Sequence, residues 1–241
     1  MCDKLSKPPI RIVIIDSGID TTKSNLNNFV KKSTGFMINQ SGYIVEDKEM
    51  QARHPHGTAV ALIIKNICKN VEFISINILN EELTSDGRVL IRALDEAILY
   101  KPDIIHLSLG TTSLRYILPL KRIIRKGRKN NILIVAAVSN NETKSYPASL
   151  KGVLGVRGKF MRDYKSYEYK DGFFYTPIDV KNIYEMKELV NDESLIGNSM
   201  SAAYLTGHIA LIKYQKNIMK FAEMNSYLKF TAAKESGGIK V

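Results

Sequence analysis

The sequence predicts a single α/β domain in which helices cover both faces of a doubly wound, mostly parallel sheet. Short runs of β-branched and other apolar residues alternate at least three times with longer segments of helical spacing. This alternation is typical of a parallel sheet that is buried on both faces. The chain has 241 residues, of which 44% are hydrophobic, enough to build one such core. We assign residues 1–241 to one domain, with its core at about 10–215.

The predicted strands are short apolar runs that end in polar or turn-forming residues. The first is RIVII at 11–15, and the Asp-Ser-Gly that follows it indicates a tight turn. Further strands are predicted at 71–79, 102–110 and 131–141. Between residues 151 and 180 the pattern changes to short strands and turns that are rich in Tyr and Phe.

The predicted helices lie between these strands and at the end of the chain. Apolar residues at helical spacing place them at 57–70, 88–101, 114–129, 199–215 and 218–231. Pro119 falls inside the third of these segments, so we expect it to kink that helix or to lie at its start.

Composition and charge exclude several classes of protein. Neither cysteine, Cys2 or Cys68, belongs to a disulfide framework or a cysteine-rich zinc site. The N-terminus has no secretory signal pattern, and the longest apolar run, 132–138, is too short to cross a bilayer. These features predict a cytoplasmic protein. The net charge of +11 would suit nucleic acid, a membrane surface or an acidic peptide, although a basic run such as 121–130 most often forms a solvated helix face.

Four chemically reactive side chains are expected to meet at one edge of the sheet. Asp16 and Asn140 follow predicted strands, while His56 and Ser199 begin predicted helices. Functional groups of open parallel sheets collect at the carboxyl ends of the strands. A carboxylate, an imidazole, a hydroxyl and an amide are together the groups needed for hydroxyl attack on a carbonyl.

The segments around these residues resemble the motifs of the subtilisin-like serine proteases. IIDSGID resembles their Asp motif, HGTAVA their His motif and GNSMSAA their Ser motif, in the same chain order. HLSLG resembles their substrate-binding strand, and VAAVSN resembles the strand that ends in the oxyanion-hole Asn. YPAS, at 146–149, matches the Tyr-Pro-Ala that follows the oxyanion-hole strand in that family. The resemblance extends from about residue 10 to about residue 215.

The resemblance implies a role for each reactive residue. Ser199 would be the nucleophile, His56 the general base and later the acid, and Asp16 the group that orients His56. Asn140 would donate its amide to the oxyanion together with the backbone N–H of Ser199. The neighbouring Asn141 is an alternative oxyanion donor, which the ungapped match disfavours.

The resemblance also implies which residues bind the substrate. The segments Ser108-Leu109-Gly110 and Ala136-Ala137-Val138 would flank an extended peptide and pair with its backbone. Leu109, Val138 and Ser139 would form the wall of the primary specificity pocket. Ser145 would form the base of the pocket. No acidic residue clearly lines that base, so a strict preference for Lys or Arg is not indicated, although Glu142 nearby keeps it open.

The remaining histidines are interpreted as structural. His54 is expected in a loop near the cleft, since no further metal ligands lie nearby in the sequence. His106 would be a hydrogen-bonded core residue, and His208 would pack within a helix. The chain also departs from the usual family pattern at four positions, Ser139, Asn198, Ser201 and Ala203.

These features predict an intracellular endopeptidase of narrow specificity. The segment KNICKN is too short for the calcium-binding loop of secreted relatives, and the first strand begins so early that we expect no prodomain. No metal and no cofactor are expected. Some short members of the family remove leader peptides from ribosomally made, modified peptides such as lanthipeptides, and this chain resembles them in layout.

Three other functions remain open from the sequence. The protein could be a regulatory or turnover protease, or a catalytically inactive subtilase fold that only binds peptides. Nucleic-acid binding is suggested by the charge, but no recognition motif accompanies it. The expected partner is a peptide or protein substrate, with an acidic leader as one option. We expect a monomer that binds neither nucleic acid nor membrane.

Overall fold

Nine strands form the centre of the computed structural model. The structure describes residues 7–47, 52–140, 144–180 and 195–236, with Met186 and Leu189, and the side chains of this set up to residue 232. The strands are β1 (Ile10–Asp16), β2 (Val30–Ile38), β3 (Ile44–Glu46), β4 (Val71–Asn77), β5 (Ile104–Leu107), β6 (Leu133–Ala137), β7 (Leu154–Lys159), β8 (Glu168–Lys170) and β9 (Phe173–Pro177).

Five helices connect or follow the strands. They are α1 (His56–Ile67), α2 (Gly87–Leu99), α3 (Ile117–Lys129), α4 (Asn198–Lys216) and α5 (Phe221–Ser236). The strands form one sheet in the order β3-β2-β4-β1-β5-β6-β7-β9-β8. Only the edge pairs β2–β3 and β8–β9 are antiparallel among these strands. The mostly parallel, doubly wound α/β fold predicted from the sequence is confirmed.

The two faces of the sheet are covered by different helices. Ile12 and Ile14 of β1 belong to the core that contains α1, α4 and α5, whereas Val13 and Ile15 belong to the core that contains α2 and α3. Alternate residues of a strand point to opposite faces, so a run of consecutive apolar residues is what a strand buried on both sides requires.

The strand order places a crevice at the carboxyl end of β1. The chain adds β4 on one side of β1 and then crosses to add β5 on the other side. Ligands of open α/β sheets bind outside the carboxyl ends of the strands at such a reversal. Asp16 is the last residue of β1, and Ser108 directly follows β5.

The predicted helices and strands are present, with shorter strands than expected. The strand predicted at 102–110 covers only Ile104–Leu107, because the chain leaves the sheet at Ser108 to form the cleft. Pro119 lies in the first turn of α3, where the missing N–H has no intrahelical acceptor. Strands β2 and β3 were not predicted from the sequence.

Candidate active site

The loop after β1 holds the first turn of α1 in place. The Ser17 hydroxyl donates to the carbonyl of His54 at 2.9 Å and accepts the Gly57 N–H at 3.1 Å. A Cβ on Gly57 would lie 2.3 Å from the carbonyl oxygen of Gly18, so only glycine permits this approach. These contacts fix the start of α1, and therefore His56, against the end of β1.

Asp16 and His56 form a buried hydrogen-bonded pair. His56 Nδ1 lies 2.8 Å from Asp16 Oδ1 and 3.0 Å from Oδ2. Burial alone would raise the pKa of Asp16, but the charge of His56 and hydrogen bonds from His56, Ser108 and the Ser17 N–H lower it to about 2. Asp16 is therefore a carboxylate at neutral pH. As an acceptor it fixes the Nδ1–H tautomer of neutral His56, which leaves Nε2 unprotonated.

A second buried histidine lies behind this pair. His106 Nε2 is 3.0 Å from the Ser108 hydroxyl, and Nδ1 is 2.9 Å from the hydroxyl of Thr206. Burial lowers the pKa of His106 to about 4, so the ring is neutral at pH 7. The sequence-based interpretation of His106 as a hydrogen-bonded core residue is confirmed. Its connection to Asp16 through Ser108 was not foreseen.

Ser199 lies in the first turn of α4. Its hydroxyl donates to the carbonyl of Ser108 at 2.9 Å. The first N–H groups of a helix lack intrahelical acceptors, and the helix dipole is positive at this end. The hydroxyl is therefore in a region that favours negative charge.

Asn140 lies beside the start of α4. Its Oδ1 accepts the backbone N–H of Asn198 at 3.0 Å. A Cβ on Gly197 would come within 3.0 Å of the Asn140 Nδ2, and Gly197 has a positive φ of 146°. Glycine at 197 is thus what lets the Asn140 amide lie against the helix terminus. Asn141 and Glu142 lie outside the described residues.

Two departures from the family pattern serve to anchor α4. The Asn198 amide donates to the carbonyl of Val138 at 2.9 Å and accepts the Gly158 N–H at 2.6 Å. It therefore ties the helix start to the ends of β6 and β7. The Ser201 hydroxyl donates to the carbonyl of Pro177 at 2.8 Å, at the end of β9. Both side chains position Ser199 relative to the sheet.

The reactive side chains border one cleft of about 470 Å³. His56, Asn140 and Ser199 line it, and Asp16 lies behind His56. Of the predicted substrate-binding residues, Ser108, Leu109, Gly110, Val138 and Ser139 also line it.

Three predicted substrate-binding residues lie elsewhere. Ala136 and Ala137 are buried within the sheet, and Ala136 pairs with both neighbouring strands, so its backbone groups are already paired. Ser145 is fully buried, and its hydroxyl accepts the N–H of the cleft residue Ser139 at 2.9 Å. These three residues are therefore not among those that line the cleft.

The cleft has three apolar lining residues that sequence reasoning missed, Leu79, Leu83 and Ile196. Leu83 lies in the polar loop that follows β4, and Ile196 is 49% exposed just before α4. An apolar residue in a polar loop at the carboxyl edge of the sheet is the signal that could have identified Leu83. These side chains make part of the rim hydrophobic.

The other histidines have structural contacts. His54 Nδ1 accepts the His56 N–H at 3.1 Å in the loop before α1. His208 is buried in α4, and its ring centroid lies 5.4 Å from that of Tyr167. Among the described residues, no three His, Cys, Asp or Glu side chains are close enough together to hold a metal ion.

A model of the subtilase family matches residues 9–163, which is more than half of the chain. The chain belongs to the subtilase family. The match includes Asp16, His56 and Asn140 but ends before Ser199. It is the fold that brings Ser199 to the same cleft.

Curated relatives of this subtilase are serine proteases. It is 26% identical over 220 residues to the "Major intracellular serine protease" of Bacillus subtilis (strain 168), covering 85% of this chain and 68% of the relative. It is 24% identical over 157 residues to "Subtilisin J" of Geobacillus stearothermophilus, covering 61% of this chain and 40% of the relative. The protein is therefore a subtilisin-like serine endopeptidase.

Solved structures share the fold at low sequence identity. A cold-adapted subtilisin-like serine proteinase superposes with a TM-score of 0.68 at 15% identity, covering 94% of this chain and 83% of the other. The nisin leader peptidase NisP from Lactococcus lactis superposes with a TM-score of 0.69 at 17% identity, covering 92% and 83%. In the part of the subtilase that the structure describes, no helix is both long and apolar enough to cross a membrane.

Proposed function

We propose that Asp16, His56 and Ser199 form the catalytic triad of this endopeptidase. The observation that carries the proposal is the buried Asp16–His56 hydrogen bond at 2.8 Å, in a cleft that also contains the Ser199 hydroxyl. For the reaction, the Ser199 hydroxyl has to leave the Ser108 carbonyl and turn toward His56. In free enzymes such catalytic hydrogen bonds often form only when the substrate binds.

In this mechanism the proton moves from Ser199 to His56 Nε2 while the serine oxygen bonds to the peptide carbonyl carbon. The carbonyl oxygen becomes an oxyanion, which the Asn140 amide and the Ser199 N–H stabilise. His56 then gives its proton to the leaving amine as the C–N bond breaks. Water then hydrolyses the acyl-enzyme: His56 takes a proton from the water as it bonds to the acyl carbon, and gives it to the Ser199 oxygen as the ester bond breaks. Asp16 remains ionised and stabilises the imidazolium.

Replacement of the nucleophile tests the triad. We expect Ser199→Ala to lower kcat by about 10⁶, the size of the loss in subtilisin itself, with the fold retained. The variant should also lose labelling by a fluorophosphonate probe, which reacts with activated serines. Ser226→Ala, at an exposed position of α5, is the matched control and should label fully. Cleavage by Ser199→Ala within tenfold of wild type would contradict the assignment.

Replacement of the oxyanion donor tests Asn140. We expect Asn140→Ala to lower kcat by about 10²–10³, with little change in KM, because the interaction is made mainly in the transition state. Asn141→Ala is the control for the register of the motif. A loss of this size in Asn141→Ala, with Asn140→Ala active, would reassign the donor to Asn141.

The proposed substrate is a single intracellular peptide precursor from which the enzyme removes a leader. Support comes from the hydrophobic rim at Leu83, which is partly buried, and Ile196, which is exposed, since both offer apolar contacts to residues beside the scissile bond. A structural neighbour is named as a nisin leader peptidase, although at 17% identity that likeness concerns the fold. Beyond this, leader removal is an analogy with other subtilases.

A turnover protease is the second candidate, since a curated relative is named the "Major intracellular serine protease". Digestion of unfolded casein discriminates the two. A leader peptidase should leave casein largely intact while it cuts a precursor peptide at one site. Rapid cleavage of casein at many sites would favour turnover, and failure to label with the fluorophosphonate probe would favour an inactive, peptide-binding subtilase.

A further inference from the structure

A groove of about 650 Å³ between α3 and the start of α5 is lined by six cationic side chains and no acidic one. We call it the basic groove. Its cations are Lys121, Arg125, Arg128, Lys129, Lys151 and Lys220. All six are exposed, and the floor is formed in part by Ile124.

Half of these charges form one stripe on α3. Lys121, Arg125 and Lys129 follow each other at intervals of four residues, so they stand one above another on the same helix face. None of the three has an ion-pair partner among the described residues, and neither has Lys151. Like charges at this spacing repel each other and destabilise a helix. Ion pairing within the folded protein therefore does not explain why these three cations lie on one helix face.

The acidic residues near the groove either pair with a cation outside it or lie at the outer limit of ion pairing from a groove cation. Asp95 of α2 lies 3.7 Å from Lys126, which is not one of the groove cations. Glu223 approaches Lys220 only at 4.0 Å, on the exposed surface. Arg128 is 5.2 Å from the ring centroid of Phe221, which holds its guanidinium across one end of the groove. The positive charge is thus concentrated and uncompensated.

The basic groove lies at the opposite end of the sheet from the cleft. Asn131, just before β6, and Lys151, just before β7, line the groove. Ser139 and Asn140, just after β6, line the cleft. The five residues of β6 span about 16 Å, so a ligand in the groove cannot touch the reacting groups.

We propose that the basic groove is an exosite that binds an acidic segment of the peptide substrate, remote from the scissile bond. The proposal deepens the proposed function, since it rests on the protein being a peptidase with a narrow substrate. At about 3.4 Å per extended residue, at least about five residues must separate the acidic segment from the scissile bond.

The side chains favour a carboxylate-rich peptide over nucleic acid. Single-stranded nucleic acids bind to grooves that offer successive aromatic rings for base stacking. Phe221 is the one aromatic residue that lines this groove in the described structure, and Arg128 already covers it. Lysine and arginine on flexible stems can instead pair with carboxylates that follow one another along a chain.

Direct binding tests the exosite without any cleavage. The probe is fluorescein-labelled decaglutamate, and its anisotropy is measured with wild-type enzyme at about 50 mM and about 500 mM salt, because exposed charges are strongly screened at the higher salt. Binding at low salt that is lost at high salt is expected. The variant Lys121→Glu/Arg125→Glu should weaken it at least tenfold. The matched control Lys69→Glu/Lys170→Glu makes the same change in net charge at exposed positions outside the groove and should bind within twofold of wild type.

Cleavage then tests whether the exosite serves catalysis. A peptide that the enzyme cuts is extended by a hexaglutamate segment through a neutral linker of two or of ten residues, on either side of the scissile bond. The long linker should raise kcat/KM at low salt more than the short linker does, with kcat unchanged, because after a two-residue linker of about 7 Å only the last glutamates of the segment can reach the groove. The gain should disappear in Lys121→Glu/Arg125→Glu and persist in the control variant.

The binding experiment and the cleavage experiment each have a result that would refute the exosite. Absence of decaglutamate binding, equal weakening by the control variant, or equal kcat/KM for both linkers would refute it. Tighter binding of a labelled single-stranded oligonucleotide of equal charge, at the same residues, would reassign the groove to nucleic acid. Fluorophosphonate labelling is unaffected by any of these results, so failure of the exosite is distinguishable from failure of the proposed peptidase mechanism.

Discussion

Ser108 connects the two parts of the candidate active site. Its carbonyl accepts the Ser199 hydroxyl, and its own hydroxyl lies between Asp16 and His106. A serine hydroxyl carries one proton, and an ionised carboxylate can only accept. For Ser108 to donate to Asp16, His106 must donate from Nε2, and Thr206 must then donate to His106 Nδ1 instead of to the carbonyl of Ala202. The tautomer of His106 therefore determines whether Asp16 keeps its hydrogen bond from Ser108.

This dependence predicts different effects for two replacements of His106. His106→Leu removes the hydrogen-bond partner that orients Ser108, and we expect kcat to fall about tenfold with KM unchanged, since 1.4 kcal/mol corresponds to a factor of ten. His106→Gln retains an amide, which can donate or accept, near the position of Nε2 and should stay within about threefold of wild type. Steady-state kinetics on one peptide measure both parameters. Equal losses in the two variants, or a change confined to KM, would show that His106 only fills space.

The helices and the apolar strands were predictable from local pattern, whereas β2 and the edge strand β3 were not. The run of four apolar residues in β1 and the helical spacing in α2 are strong signals that are visible in the local sequence, without knowledge of tertiary contacts. β2 contains the polar segment Lys31–Thr34, and β3 has only three residues, so their pairing depends on neighbours that are distant in sequence. Their sequence pattern alone does not distinguish them from a loop.

Helix α4 carries a buried charge that binds it to the start of β5. Lys213 is 2% exposed, and its Nζ lies 3.2 Å from Asp103 Oδ1. Asp103 Oδ2 also accepts the backbone N–H of Arg11 at 2.9 Å. The Asp103 side chain is 26% exposed, so the buried charge of the pair is that of Lys213. Removing its partner leaves this charge uncompensated, whereas replacing the lysine by an apolar side chain is often neutral.

We therefore predict that Asp103→Asn lowers the free energy of unfolding by about 3 kcal/mol, and that Lys213→Met changes it by less than about 1 kcal/mol. The double variant Asp103→Asn/Lys213→Met should recover most of the lost free energy of unfolding, because it no longer contains a buried lysine without its carboxylate. Urea unfolding at neutral pH measures all three. Equal destabilisation by the two single variants would mean that the contacts of the lysine stem matter more than its charge.

At the scale of the molecule, the sequence predicted the reactive groups better than the shape of the cleft. Asp16, His56, Asn140 and Ser199 stand in short motifs at the ends of strands or the starts of helices, so local sequence suffices to find them. Ile196 and Leu83 reach the cleft only through the folding of separate loops. The basic groove likewise joins Lys151 and Lys220 to α3, a proximity that charge counting could not reveal.

Two histidines, one in β5 and one in α4, are buried and neutral. His106 is completely buried, and His208 is 8% exposed in α4. Burial lowers the pKa of each to about 4 from 6.5, partly opposed at His208 by a backbone hydrogen bond with Tyr164. The unfolded chain takes up protons at these positions below about pH 6.5, whereas the folded protein does so only near pH 4.

This difference predicts a subtilase that is labile in mild acid. Stability should fall steadily as the pH drops from 6.5 to 4, by about 3 kcal/mol for each histidine, because one pKa unit corresponds to about 1.4 kcal/mol. Asp16, whose folded pKa is lowered from 3.8 to about 2, adds its own loss only below that window. The total is comparable with the 5–15 kcal/mol that stabilises typical domains.

The measurement is the urea midpoint between pH 8 and pH 4.5 for wild type and for His208→Asn. We choose His208 because it lies away from the cleft, and because the asparagine amide can retain the hydrogen bond with the Tyr164 backbone. The variant should be less stable than wild type at pH 8, where its smaller side chain leaves a cavity. It should then lose less stability on acidification, by about half of the wild-type loss, since one of the two titrating groups is gone. Parallel curves for the two proteins would show that His208 is already protonated in the folded state or equally shielded in the unfolded one.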